Sequence, residues 1–274
     1  NITTTTGTRR FTGLLTVNSG GTWNNGNVAE PINFRGGVTN NGTFTAGTGV
    51  YTFDTNNQTI SGTSSIPNVT VTGVTLTNNG TLSVSTALSG TGGLTQSSGS
   101  VLNIGGTSGI TTLTATASGN TVNYNGAAQT LKATTYDNLT LSGTGSKTFP
   151  SGTTTVNNVL SIENGTSANT FTGSLAYGSA ATLQYNAGTS NRTVSTEWPA
   201  TFSGTGGVII KGTGTITLNA EKTLSANVPL TINSGTLASG NYNLTLGGNF
   251  TNSGTFTPGT STVTFNGTSP QTIG

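Results

Sequence analysis

The chain has 274 residues, with 42 Gly, 7 Pro, no Cys, no Met, no His, 30% hydrophobic and 5% charged residues, and a formal net charge of +2. The absent Cys and His exclude disulfide staples, thiolate metal sites and an imidazole base or ligand, and no cofactor is expected. Low hydrophobicity with so small a net charge, in a patterned sequence, points to an ordered stack with a thin apolar seam rather than to disorder or one large globular core.

The chain opens at Asn1 in a Thr-rich run, without Met and without an apolar signal segment, as expected of a processed piece of a secreted protein. Arg9-Arg10 is the only adjacent basic pair, so the basic residues form no phosphate-binding surface and no nucleic-acid partner is expected. Trp23, the first of two tryptophans, is a candidate stacking platform for a sugar ring or, alternatively, a plug for a wide corner.

From Val50 onward a phrase recurs four times. An apolar residue, a spacer, an aromatic and Asn or Asp are followed by Gln or Arg, Thr and an aliphatic residue. The copies read Val50-Tyr51-Thr52-Phe53-Asp54 with Gln58-Thr59-Ile60, and Val122-Asn123-Tyr124-Asn125 with Gln129-Thr130-Leu131. They return as Leu183-Gln184-Tyr185-Asn186 with Arg192-Thr193-Val194, and Val263-Thr264-Phe265-Asn266 with Gln271-Thr272-Ile273. A phrase repeated in order along the chain is the mark of a stacked repeat and not of one active site. It predicts a single solenoid of four degenerate repeats, about 1-62, 63-131, 132-194 and 195-274, with Tyr51, Phe53, Ile60, Val122, Tyr124, Leu131, Leu183, Tyr185, Val194, Val263, Phe265 and Ile273 in the core.

Between these phrases lie short alternating units such as Val69-Thr70-Val71, Leu82-Ser83-Val84, Leu102-Asn103-Ile104, Leu139-Thr140-Leu141 and Leu160-Ser161-Ile162. Period-two alternation puts two apolar side chains on one strand face, and the recurrence of about 20 residues is the size of one solenoid coil. Asn-Gly, Ser-Gly and Gly-Gly pairs supply the corners, and no window carries a helical period with caps, so an all-β chain with essentially no helix is expected. Roughly 13 rungs at about 4.8 Å each would make a rod about 60 Å long.

Near the C-terminus Asn252-Ser253-Gly254-Thr255-Phe256-Thr257-Pro258-Gly259-Thr260 matches Asn40-Asn41-Gly42-Thr43-Phe44-Thr45-Ala46-Gly47-Thr48 at seven of nine positions. These segments, the aromatic phrase and strands of the Tyr136-Asp137-Asn138-Leu139-Thr140-Leu141 type resemble the repeat region of large bacterial secreted surface proteins, the filamentous-haemagglutinin and autotransporter-passenger β-solenoids. The resemblance implies a right-handed parallel β-helix, export to the cell surface, and a role in adhesion or in an extracellular scaffold. Neither end reads as a polar cap, so self-association through the solenoid ends, or continuation in a longer polypeptide, is expected. Surface glycans are candidate ligands, and no membrane span is expected.

Chemistry on such a rod would need paired carboxylates. Glu30 and Asp54, Asp137 and Glu163, and Glu197 and Glu221 are each spaced by roughly one coil, and Glu197 with Glu221 beside Trp198 is the sharpest catalytic pair. Against it stand nearby cations: Arg192 for Glu197, Lys222 for Glu221 and Lys132 for Asp137. The expectation is therefore a non-enzymatic structural protein, with a carbohydrate-binding or carbohydrate-cleaving β-helix as the alternative. A third reading is an ice-binding solenoid, suggested by Thr75-Leu76-Thr77, Thr112-Leu113-Thr114, Thr215-Ile216-Thr217 and similar triplets at irregular separations. Gly-Gly pairs lack the Asp of a calcium-binding nonapeptide, and the many Asn-x-Thr sequons follow from composition.

Overall fold

A computed structural model describes residues 8–26, 28–165 and 169–274. Among these the chain is all β, without helix, and its strands stack in parallel about 20 residues apart as a β-solenoid of about 13 turns. It folds as two compact units, Asn1–Asp137 and Asn138–Gly274. The expected start of the chain at Asn1 lies outside the described residues.

The first unit has three strand faces. One carries Arg9–Phe11, Ile32–Phe34, Val50–Asp54 and Asn68–Thr72, continued by the first halves of Ala87–Gln96 and Thr107–Thr114. The second carries Leu15–Val17, Val38–Asn40, the start of Gln58–Ser65, Thr75–Asn78 and the second halves of the two long strands. The third includes Thr22–Asn24, Thr43–Thr45, Thr81–Val84, Val101–Ile104 and Thr121–Tyr124. In the second unit Thr153–Glu163 pairs with Ser174–Tyr177 and Thr182–Asn186, the latter followed by Gly207–Lys211, Leu230–Ile232 and Phe250–Asn252. Two further faces are Arg192–Thr193, Thr215–Thr217, Thr236–Ala238 and Thr255–Thr257, and Thr201–Phe202, Lys222–Leu224, Leu244–Leu246 and Val263–Phe265.

One turn takes from 18 residues, as from Val50 to Asn68, to 25, as from Thr182 to Gly207. Within these two pairs the strands have five residues each, so the segments between them absorb the difference.

Alternation decides what is inside. Leu82, Leu102 and Val122 stack in one column and Val84, Ile104 and Tyr124 in the next, all buried, with Ser83, Asn103 and Asn123 outward. In the second unit Leu160, Leu183, Val208, Leu230 and Phe250 form one column and Ile162, Tyr185, Ile210 and Ile232 its neighbour. Each such side chain contributes about 1.5–3 kcal/mol by leaving water, which makes the thin seam sufficient because every rung adds several.

The core expectations hold for three copies of the phrase. Tyr51, Phe53, Val122, Tyr124, Leu183 and Tyr185 are fully buried, and Ile60, Leu131 and Val194 are nearly so. The fourth copy is a correction. Val263 is half-buried, Phe265 is 38% exposed and Ile273 is 63% exposed, because no further turn of the described residues lies over them.

Candidate functional site

The repeated phrase resolves into a clamp between turns. In the second copy Gln129 is buried, its Nε2 donates to the carbonyls of Ile104 and Gly106 on the preceding turn, both at 2.8 Å, and its Oε1 accepts Gly126 N–H at 2.8 Å. Gln58 does related work: Nε2 donates to the carbonyls of Phe34 and Asp54, and Oε1 accepts Gly37 N–H. A glutamine side chain thus replaces the backbone partners that a strand loses where it turns a corner. The phrase aromatics add to this. Tyr51 OH accepts Gly47 N–H at 2.8 Å and an Asn25 amide hydrogen at 3.0 Å. Tyr124 OH accepts Lys132 N–H at 2.9 Å and meets Tyr136 OH at 3.1 Å, while Tyr136 donates to Lys132 O at 2.6 Å. Burial raises the pKa of all three phenols, so their hydroxyls remain protonated hydrogen-bonding groups at neutral pH.

The third copy carries Arg192 in place of Gln, and here the core becomes polar. Glu197, fully buried, lies 3.6 Å from Arg192 Nε and accepts Ser195 N–H at 3.1 Å and the Tyr185 hydroxyl at 3.3 Å. Tyr177 donates to Glu197 O at 2.6 Å, and Lys222, also buried, donates from Nζ to Trp198 O at 2.5 Å. Burial, followed by the charge of Glu197, pushes Tyr177 and Tyr185 well above the ordinary phenol range. Burial lowers Lys222, and Glu197 opposes that shift. A carboxylate held this way pairs with the buried Arg192 and closes the corner made by residues 195–200. It has no exposed face to offer a substrate.

That geometry corrects two expectations. Glu197 and Glu221 do not form a pair in a groove: Glu197 is inside the core, whereas Glu221 is exposed and accepts from Asn243 Nδ2 at 3.1 Å. Trp198 is fully buried with its ring centroid 6.1 Å from that of Tyr185, so it cannot stack on a sugar. Trp23 is half-buried, stacked at 5.9 Å on Phe44 and edge-on to Phe11 at 5.2 Å; it belongs to an aromatic cluster that extends across two strand faces to Phe34, Tyr51 and Phe53. Glu30 and Asp54 also separate. Arg9 takes Glu30 at 2.7 Å and Arg35 takes Asp54 at 2.9 Å, because Tyr51 lies over Ile32 and this turn has only 19 residues. Asp137 accepts Gly119 N–H at 2.8 Å.

What the surface does present in order is threonine. On the second face of the first unit Thr59, Thr77, Thr95 and Thr114 occupy one outward column on successive turns, with Thr75, Gly93 and Thr112 beside them. In the second unit Thr215, Thr236 and Thr255 align, flanked by Thr217, Ala238 and Thr257. The triplets that look irregular in sequence are therefore in register, because the parallel pairing between turns aligns them whatever the number of residues in each turn. Sequence spacing also missed Tyr177 and the clamping role of Gln58, Gln129 and Gln271, and it assigned Lys222 to Glu221, whereas Lys222 is buried and donates to Trp198 O. Gln recurring at a fixed place in an otherwise apolar phrase was the available signal. Comparison with protein families, curated proteins and solved structures found no match to this chain.

Proposed function

We propose that the chain is a non-enzymatic structural protein of the bacterial cell exterior, serving as the shaft of a surface adhesin or as the subunit of a filament that assembles end to end. The observation that carries this reading is the use of the repeated phrase: three of its four copies place a Gln that ties one turn to the one before it. The clustered ionisable side chains of the Arg192 copy are likewise turned inward, to Glu197 and its neighbours. The extracellular setting comes from the resemblance to secreted surface repeats. Phe265 and Ile273, the exposed members of the fourth phrase, are covered in this reading by a further turn, either of the same polypeptide or of a second copy. Sedimentation across a concentration series separates its two forms: growth to long polymers supports the filament, and a single species at every concentration overturns the filament and leaves the shaft.

A second reading, binding to an ordered lattice such as ice, is favoured by the in-register threonine columns. Its test is inhibition of ice recrystallisation, lost in Thr77→Lys and Thr95→Lys. Equal activity in wild type and these variants would remove it.

A further inference from the structure

The sequence contains six Asn-Gly pairs, the dipeptide most prone to deamidation because glycine leaves its amide nitrogen sterically free to attack the preceding side chain. The structure holds that nitrogen in five of them. Asn24, Asn40 and Asn78 reach forward two residues to accept the N–H of Gly26, Gly42 and Gly80 at 2.7, 3.2 and 3.1 Å. Gln129 and Gln271 reach back to accept Gly126 and Gly267 N–H at 2.8 and 2.7 Å. In the sixth pair, Asn164-Gly165, both residues are exposed and no acceptor is bonded to Gly165 N–H among the described residues.

We propose that Asn164 is the site at which this chain converts spontaneously to aspartate and isoaspartate, while the Asn and Gln acceptors protect the other five pairs. Gly165 N, on losing its proton, attacks Asn164 Cγ; the Cγ–Nδ2 bond breaks and Nδ2 leaves as ammonia, forming a succinimide. Water then opens the ring at either carbonyl, so one amide and one water become one carboxylate and one ammonium with no redox change. Ser190 Oγ donates to Asn164 Oδ1 at 2.6 Å, which polarises the carbonyl under attack and stabilises the oxyanion that forms. Asn79 provides the internal comparison. Its Oδ1 accepts Ser97 Oγ in the same way, at 2.5 Å, but Gly80 N–H is held by Asn78. The two sites share the activating hydroxyl and differ in the clamp. Exposure does not distinguish them, since Asn41, Asn79, Asn125 and Asn266 are exposed as well.

The test incubates the intact protein at mildly alkaline pH, digests it in acid and reads aspartate and isoaspartate at each pair by peptide mass spectrometry. Releasing one hydrogen-bonded N–H corresponds to about tenfold in rate, so Asn164 is expected to convert about tenfold faster than Asn79. Ser190→Ala is expected to slow Asn164 alone. Gln271→Ala frees Gly267 N–H and is expected to raise Asn266 about tenfold, with Asn79 unchanged. Gln271→Glu, which keeps an acceptor oxygen, is expected to leave Asn266 slow. Conversion of Asn79 as fast as Asn164 in the wild type, or an Asn266 rate indifferent to Gln271→Ala, would overturn the proposal.

Discussion

Gln129 and Gln271 make the same three hydrogen bonds in different units. Gln129 donates to Ile104 O and Gly106 O and accepts Gly126 N–H; Gln271 donates to Leu246 O and Gly248 O, at 2.8 and 2.6 Å, and accepts Gly267 N–H at 2.7 Å. Each joins its own corner to the turn before it. Replacing Gln129 by Ala removes the donor to two carbonyls and the acceptor for one N–H, and should cost about 2–4 kcal/mol. Urea denaturation measures it, and a loss below about 0.5 kcal/mol would mean that the clamp contributes nothing.

Glu197 and Glu221 should respond in opposite ways. Glu197→Ala removes the carboxylate that Arg192 meets in the core and should destabilise by about 3–5 kcal/mol. Glu221→Ala, on the surface, should stay within about 0.5 kcal/mol. Thermal melts of both variants decide it, and a Glu197→Ala protein as stable as wild type would show that the buried pair does not matter to the fold.

The buried phenols and lysines give stability opposing pH dependences. Burial lowers Lys147 from 10.5 to about 8, so between about pH 8 and 10.5 the unfolded chain binds the extra proton and stability rises with pH. Lys222 acts in the same direction. Tyr124, Tyr136, Tyr177 and Tyr185 have raised folded values, so stability present below about pH 10 is lost as pH rises through them. Denaturation midpoints should climb from about pH 8 toward pH 10 and fall beyond it. A steady decline from pH 8 would contradict the buried lysine.

Two glycines separate backbone conformation from packing. Both Gly62 and Gly73 have positive φ, +75° and +68°. A Cβ on Gly62 would lie 1.8 Å from Asn40 O on the preceding turn, whereas one on Gly73 meets nothing within 4 Å. Gly73→Ala should cost about 1–2 kcal/mol for its backbone alone. Gly62→Ala should cost more than about 3 kcal/mol, because the turns must separate. Equal costs in equilibrium unfolding would show that the turns tolerate the shift.

The fold was legible because alternation is local. Leu82-Ser83-Val84, Leu102-Asn103-Ile104 and Val122-Asn123-Tyr124 have the same inside and outside whether read in sequence or seen stacked. The acidic pairs were not, because spacing along a chain with turns of 18 to 25 residues fixes neither register nor side-chain direction. Asp54 thus meets Arg35 and not Glu30, and Glu197 turns inward while Glu221 turns out. The role of Gln58, Gln129 and Gln271 was hidden for another reason: a buried amide in an apolar phrase is explained only by the corner carbonyls it satisfies, and these lie on another turn.

The proposed end-to-end assembly into a filament is tested most directly by electron microscopy of the purified chain over a wide concentration range. The account predicts filaments that lengthen with concentration and show an axial repeat near the rung spacing of about 4.8 Å, and that are lost in Ile273→Lys. Separate particles at every concentration, identical in wild type and Ile273→Lys, would contradict it.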